Sequence, residues 1–184
     1  MLVTGTDHLG INRRLVKSPA KERPVKRVRS SSKEEAYKSL ISHLDAILRD
    51  ESTPLVDEVA RMATLCSLVH ILIPKVYWAG FYRLVGPKTL VVGPYCGTPA
   101  CLVIDIGRGV CGQCAREGRP VVVPDVRLHP DHIACDAESK SEIVVPVFDA
   151  KGRLKAVFDV DSDHLSAFDE FDARQLQKVV RYLA

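Results

Sequence analysis

Hydrophobic periodicity changes twice along this chain, and that pattern constrains the fold more than any other feature. Ala36, Leu40, Leu44, Ile47 and Leu48 recur at three- and four-residue steps, predicting an amphipathic helix that Ser32 caps and that runs to about Arg49. Pro54 opens a second helical pattern, with Val56, Val59, Ala60, Ala63, Leu65, Leu68, Val69 and Leu72 on its buried face. Strand character takes over at Val76–Leu84 and Thr89–Tyr95, separated by the turn Gly86-Pro87-Lys88. A short helical stretch from Gly109 to Gly118 precedes a strand at Pro120–Val123, and an irregular run covers Pro124 to Ser141. Strands return at Glu142–Phe148 and Leu154–Asp161, and Glu170 to Leu183 closes the chain as a helix. Helices at both ends around a run of mostly antiparallel strands predict an α+β fold, one layer of sheet against helices.

The 184 residues suffice for one domain with an appended tail. No apolar run approaches the ~20 residues of a membrane helix, and the first residues lack the pattern of a secretory signal. Charge is uneven: residues 1–32 carry eight Lys and Arg against Asp7 and Glu22, a surplus of six in a chain whose formal charge is +3. The body is therefore net acidic, and nucleic-acid binding is not inferred from the basic total. Residues 1–32 contain Pro19, Pro24 and three consecutive serines without sustained periodicity, and predict a flexible basic extension. As a message it would suit a mitochondrial presequence or, at Lys26-Arg27-Val28-Arg29, a nuclear signal; without one, a cytoplasmic protein is expected.

Six cysteines are many for a chain with no export signal. Cys66 falls among the apolar positions of the second helix and suits a core filler. Cys96, Cys101, Cys111, Cys114 and Cys135 all lie between the central strands. Zinc could be held by Cys111-x-x-Cys114 with Cys96 and Cys101, or with His129 and His132, although no second close pair matches the first. A redox dithiol would pair a nucleophilic thiolate with a resolving neighbour. Inert buried thiols are the third alternative.

Six motifs then carry a resemblance. They are Tyr77–Tyr82 (YWAGFY), Pro99–Ile104 (PACLVI), Gly109–Gly112 (GVCG), His132–Asp136 (HIACD), Ser139–Pro146 (SKSEIVVP) and Phe158–Ser162 (FDVDS). In this order, the chain from residue 33 to 184 closely resembles the free methionine-(R)-sulfoxide reductases, enzymes built on a GAF domain. The resemblance implies reduction of free L-methionine (R)-S-oxide to methionine, with no metal or other cofactor. It implies Cys135 as nucleophile, Cys101 as its principal resolving partner and Cys111 as a third redox cysteine. Thioredoxin or another dithiol would be the electron donor.

The same resemblance makes Glu142, Asp159 and Asp161 active-site carboxylates. Glu142 and Asp161 would address the sulfoxide oxygen, and Asp159 would hold the substrate ammonium. Asp159 and Asp161 are two apart on a strand and so share a face, although an isolated D-x-D is ordinarily just an exposed polar edge. Trp78 and Tyr82, four apart, also share a face and would line the pocket; core packing is the ordinary fate of such residues. By analogy with GAF domains a homodimer is expected. The alternative function is a non-catalytic GAF sensor of a small ligand, which would need neither paired cysteines nor a reductant.

Overall fold

The computed structural model describes residues 32–49, 57–133 and 135–183. The basic extension and the predicted helix start at Pro54 therefore lie outside the described residues, apart from Ser32. That residue caps helix α1 (Lys33–Leu48), its side chain accepting the Glu35 N–H at 3.2 Å. Helix α2 (Glu58–Leu72) is capped by Asp57, whose carboxylate accepts the Ala60 N–H at 2.8 Å.

Six strands follow, with α3 (Gly109–Glu117) among them: β1 (Trp78–Val85), β2 (Thr89–Cys96), β3 (Val103–Asp105), β4 (Val121–Val123), β5 (Ser141–Phe148) and β6 (Leu154–Ser162). They form one antiparallel sheet in the order β3-β2-β1-β6-β5-β4. Helix α4 (Glu170–Val179) ends the fold and tightens into a 3-10 turn, Val180–Leu183, where one continuous helix is predicted. No described helix is long and apolar enough to cross a membrane.

Alternation along the strands gives the sheet two apolar faces, not one. Phe81, Ile143, Val145, Phe158 and Val160 pack under α1, α2 and α4. Trp78, Tyr82, Leu90, Val144 and Val157 pack on the opposite face with Val110, Cys111 and Cys114 of α3. The expected α+β arrangement of one sheet against helices is found: the terminal helices cover one face, and α3 with its loops covers the other. The ends of the chain are locked together through Asp172 of α4, which accepts from the Lys33 ammonium at 2.5 Å and the Tyr37 hydroxyl at 3.0 Å.

Two details of the helix faces also differ from expectation. Val59, Ala60 and Ala63 are exposed on α2, and Ile47 is exposed on α1. Apolar residues surround α2 almost completely, so periodicity alone does not select the stripe that meets the sheet. Met62, Leu65, Cys66, Leu68, Val69 and Leu72 are the ones buried. Strand β3 is unpredicted because three residues are too few to alternate, and its Val103 is exposed at the sheet edge.

Candidate active site

Strand register alone assembles the floor of a cleft on the α3 face. Glu142 of β5 pairs with Asp161 of β6, which pairs with Trp78 of β1, forming one row across three strands. The next row on the same face holds Val144, Asp159 and Gly80. Two-residue alternation therefore aims Glu142, Asp159, Asp161, Trp78 and Tyr82 into one space. Helix α3 contributes Cys111 and the irregular stretch before β5 contributes Cys135. The cleft encloses about 570 Å³ counting its open mouth, and all seven of these side chains line it.

Gly80 has a specific reason to be glycine. The Trp78 indole lies back along β1, and a Cβ on Gly80 would sit 2.2 Å from its ring. Gly97, at φ +134°, would meet the other side of the ring at 2.5 Å if it carried a Cβ. The indole stacks on Tyr95 at 5.6 Å between centroids and donates its N–H to the Thr98 carbonyl at 3.0 Å. Gly80→Ala is expected to displace the ring and to lose about 1–3 kcal/mol of stability by overpacking. Trp78 is the chain's single tryptophan, so urea unfolding followed by its emission reports both effects. An unchanged native emission spectrum and midpoint would contradict this packing account.

The carboxyl groups crowd one another away from water. Glu142 and Asp159 are each 6% exposed. Burial, then the charges of Asp159 and Asp161, push the Glu142 carboxyl well above its usual range. Burial and Asp161 push Asp159 the same way, against hydrogen bonds from Cys111 and Glu142. Burial raises Asp161 to about 6, opposed by the Ser139 hydroxyl donating at 2.5 Å. A cluster of this kind keeps a proton at neutral pH, because charging every member in low dielectric is costly. Asp159 Oδ2 accepts the Cys111 thiol at 3.3 Å, while its Oδ1 has no donor among the described residues unless a proton sits on Glu142.

The cysteines separate into distinct environments. Cys101 and Cys135 are joined by a disulfide with their Cα atoms 5.3 Å apart. Cys135 lines the cleft, whereas Cys101 is not part of its wall. Cys111 is buried and its thiol is pushed well up, by burial first and then by Asp159 and Glu142. Cys114 is fully buried behind it on α3. Cys66 packs under the terminal helices and donates to the Pro94 carbonyl at 3.3 Å, with Cys96 against the same cluster.

The Cys/His set weighed for zinc is not brought together. Cys96 lies on the helix side of the sheet, Cys101 is in the disulfide and His129 meets Gln113 at 2.8 Å. Among the described residues, potential ligand atoms do converge at Cys111, Glu142 and Asp159, all within 4.8 Å of one another. Burial holds the nearby His132 below its usual range, and its Nδ1 is 4.0 Å from Glu142.

Several side chains of the site escape sequence reasoning. Ser139 on Asp161 and the trio Tyr77, Thr98 and Asp136 carry no periodicity or spacing signal, and His132, weighed only as a zinc ligand, lies beside Glu142. Asp136 offers only its place directly after Cys135 in the sequence.

Comparison with known proteins places the arrangement. The GAF domain family matches residues 55–184. The chain is 35% identical over 158 residues to the free methionine-R-sulfoxide reductase of Saccharomyces cerevisiae, covering 83% of this chain and 86% of that one. It is 36% identical over 152 residues to the Escherichia coli protein of the same name, covering 83% and 88%. An X-ray structure of free methionine-R-sulfoxide reductase from Neisseria meningitidis in complex with its substrate superposes with a TM-score of 0.77, at 41% identity, covering 84% and 89%. The order of strands, the cleft beneath α3 and these similarities agree, and the chain belongs to the free methionine-R-sulfoxide reductase family of GAF-domain proteins.

Proposed function

We propose that this protein reduces free L-methionine (R)-S-oxide to L-methionine, with the Cys135 thiolate as nucleophile. The observation that carries the reading is the position of Cys135: it opens onto the cleft floored by Glu142, Asp159 and Asp161, with Cys101 bonded to it outside the wall. Attack of the thiolate on the sulfoxide sulfur breaks the sulfur–oxygen bond. With one proton taken up, the oxygen leaves on Cys135 as a sulfenic acid and methionine is released. The methionine sulfur gains two electrons and the cysteine sulfur loses two.

Proton supply is the role of the buried carboxyl cluster. A proton held between Glu142 and Asp161 would hydrogen-bond the sulfoxide oxygen and make its sulfur more electrophilic. Asp159, whose buried Oδ1 has no hydrogen-bond partner among the described residues, suits the substrate ammonium. Trp78 and Tyr82 would pack against the methylthio end, and a cleft of this size suits a free amino acid better than a residue flanked by peptide. No step calls for a metal.

Resolution follows when the Cys101 thiol attacks the Cys135 sulfenic acid, forming the disulfide and expelling water. An external dithiol, thioredoxin in this reading, reduces it and is itself oxidised. Cys111 is a further thiol within the cleft that could join an alternative disulfide. Cys101→Ser is expected to spare one stoichiometric release of methionine while blocking or slowing thioredoxin-dependent recycling. Quenched-flow counting of methionine per chain checks this, and full recycling would transfer resolution to Cys111.

The deciding experiment is chirally resolved consumption of free methionine sulfoxide with a dithiol reductant. Loss of the R epimer alone with matching methionine release is the expected result. Persistence of both epimers with folded, reduced protein would replace the enzyme by a GAF domain that binds a small ligand.

A further inference from the structure

We infer that Asp136 is a positioning residue for the Cys101–Cys135 couple, its carboxylate holding the two cysteine-bearing segments together whether or not the disulfide is formed. The inference rests on the proposed cycle only in taking this couple as the one that turns over. Neither cysteine sits in a strand or helix, so strand register does not set the distance between them. A disulfide needs Cα atoms within about 4.4–6.8 Å, and two free irregular segments would spend little time there. Something else must narrow that search.

Asp136 supplies the tie. Its Oδ2 accepts from the Tyr77 hydroxyl at 3.1 Å and from the Thr98 hydroxyl. Its Oδ1 accepts the Glu138 N–H at 2.9 Å, which closes the turn after Cys135. Tyr77 is itself fixed to the sheet, its N–H donating to the Asp161 carbonyl at 2.9 Å. Thr98, three residues before Cys101, is held from the other side because its carbonyl accepts the Trp78 indole N–H. One carboxylate thus connects the Cys135 segment, the Cys101 segment and the start of β1. Apart from the disulfide, the Thr98–Asp136 bond is the hydrogen bond that joins the two segments among the described residues. The Thr98 hydrogen bond and the Glu138 N–H hold Asp136 below the usual carboxylate range, so the tie is charge-assisted at neutral pH.

The consequence is a high effective concentration of one thiol at the other, which favours the disulfide over two separate thiols. The full chain, equilibrated against mixtures of reduced and oxidised glutathione and then alkylated, reports that quantity by the fraction of Cys101–Cys135 peptide. Two glutathione thiols reduce the bond and leave as glutathione disulfide, so the balance is closed without methionine sulfoxide. Asp136→Ala is expected to lower the effective concentration by about tenfold or more, raising the reduction potential by about 30 mV per factor of ten. Asp136→Asn, which keeps one acceptor oxygen, is expected to fall between Asp136→Ala and the parent.

Thr98→Val removes the same bond from the opposite side and is expected to shift the equilibrium in the same direction. It serves as the test if Asp136→Ala does not fold. General destabilisation that weakens both redox forms equally would leave the potential where it is. An equilibrium within twofold of the parent in folded Thr98→Val or Asp136→Ala overturns the inference. Failure to consume methionine sulfoxide would overturn the proposed function and leave this measurement standing.

Discussion

Cys135→Ser is expected to form no methionine from methionine sulfoxide while still binding it. The reason is chemical and not only steric. A thiolate can accept the sulfoxide oxygen because sulfur has an accessible higher oxidation state, the sulfenic acid. A serine oxygen has none, and its hydroxyl is scarcely ionised at neutral pH, so neither the attack nor the transfer survives. Loss should reach at least about 10³-fold, the scale seen when a nucleophile is removed. The other thiol in the cleft is a poor substitute: burial and its carboxylate neighbours keep Cys111 protonated, and it donates to Asp159. Chirally resolved chromatography measures the loss, and quenching or shifting of Trp78 emission on titration with methionine sulfoxide measures the binding. Substantial turnover in this variant would move the nucleophile to Cys111.

Glu142→Gln should be the next most damaging change, lowering kcat by about 10²–10³-fold with the fold intact. General acid assistance is typically worth 10²–10⁴-fold. Glutamine has nearly the shape of a protonated glutamic acid, so it fits between Asp159 and Asp161 without adding charge to a buried site. It can donate a hydrogen bond but cannot release a proton to the departing oxygen. The two roles therefore separate: KM is expected to change little while kcat falls. A Glu142→Gln enzyme with parental kcat would assign the proton to Asp161 or Asp159.

The boundary between what sequence and structure each reveal follows the range of the interactions involved. Helix α1, the long strands and the closing helix are legible because burying one face imposes periods of 3.6 and 2 on neighbouring residues, a local constraint. The same reasoning places Asp159 with Asp161, and Trp78 with Tyr82, on shared faces. It finds α2 but not its whole buried stripe, because apolar residues surround that helix, and it misses β3, which is too short to show a period.

The site needs relations between distant residues. Sequence motifs picked out Cys101, Cys111, Cys135, Glu142, Asp159 and Asp161 through resemblance to a family, whereas bare spacing disfavoured zinc and did not choose between redox and inert thiols. Antiparallel register brings Glu142 alongside Asp161 and next to the buried Asp159, and burial together with the neighbouring charges pushes the carboxyl groups up. Irregular segments decide the rest. Ser139 on Asp161, and Asp136 between Tyr77 and Thr98, are bonds between side chains up to 59 residues apart. By itself the sequence determined the order of elements and which strand faces are apolar, since both depend on near neighbours. Tertiary structure decided that the chain has two helical layers, that Cys135 and not Cys101 opens to the cleft, and which polar partners hold the loops, because those contacts form only once the sheet has set its register.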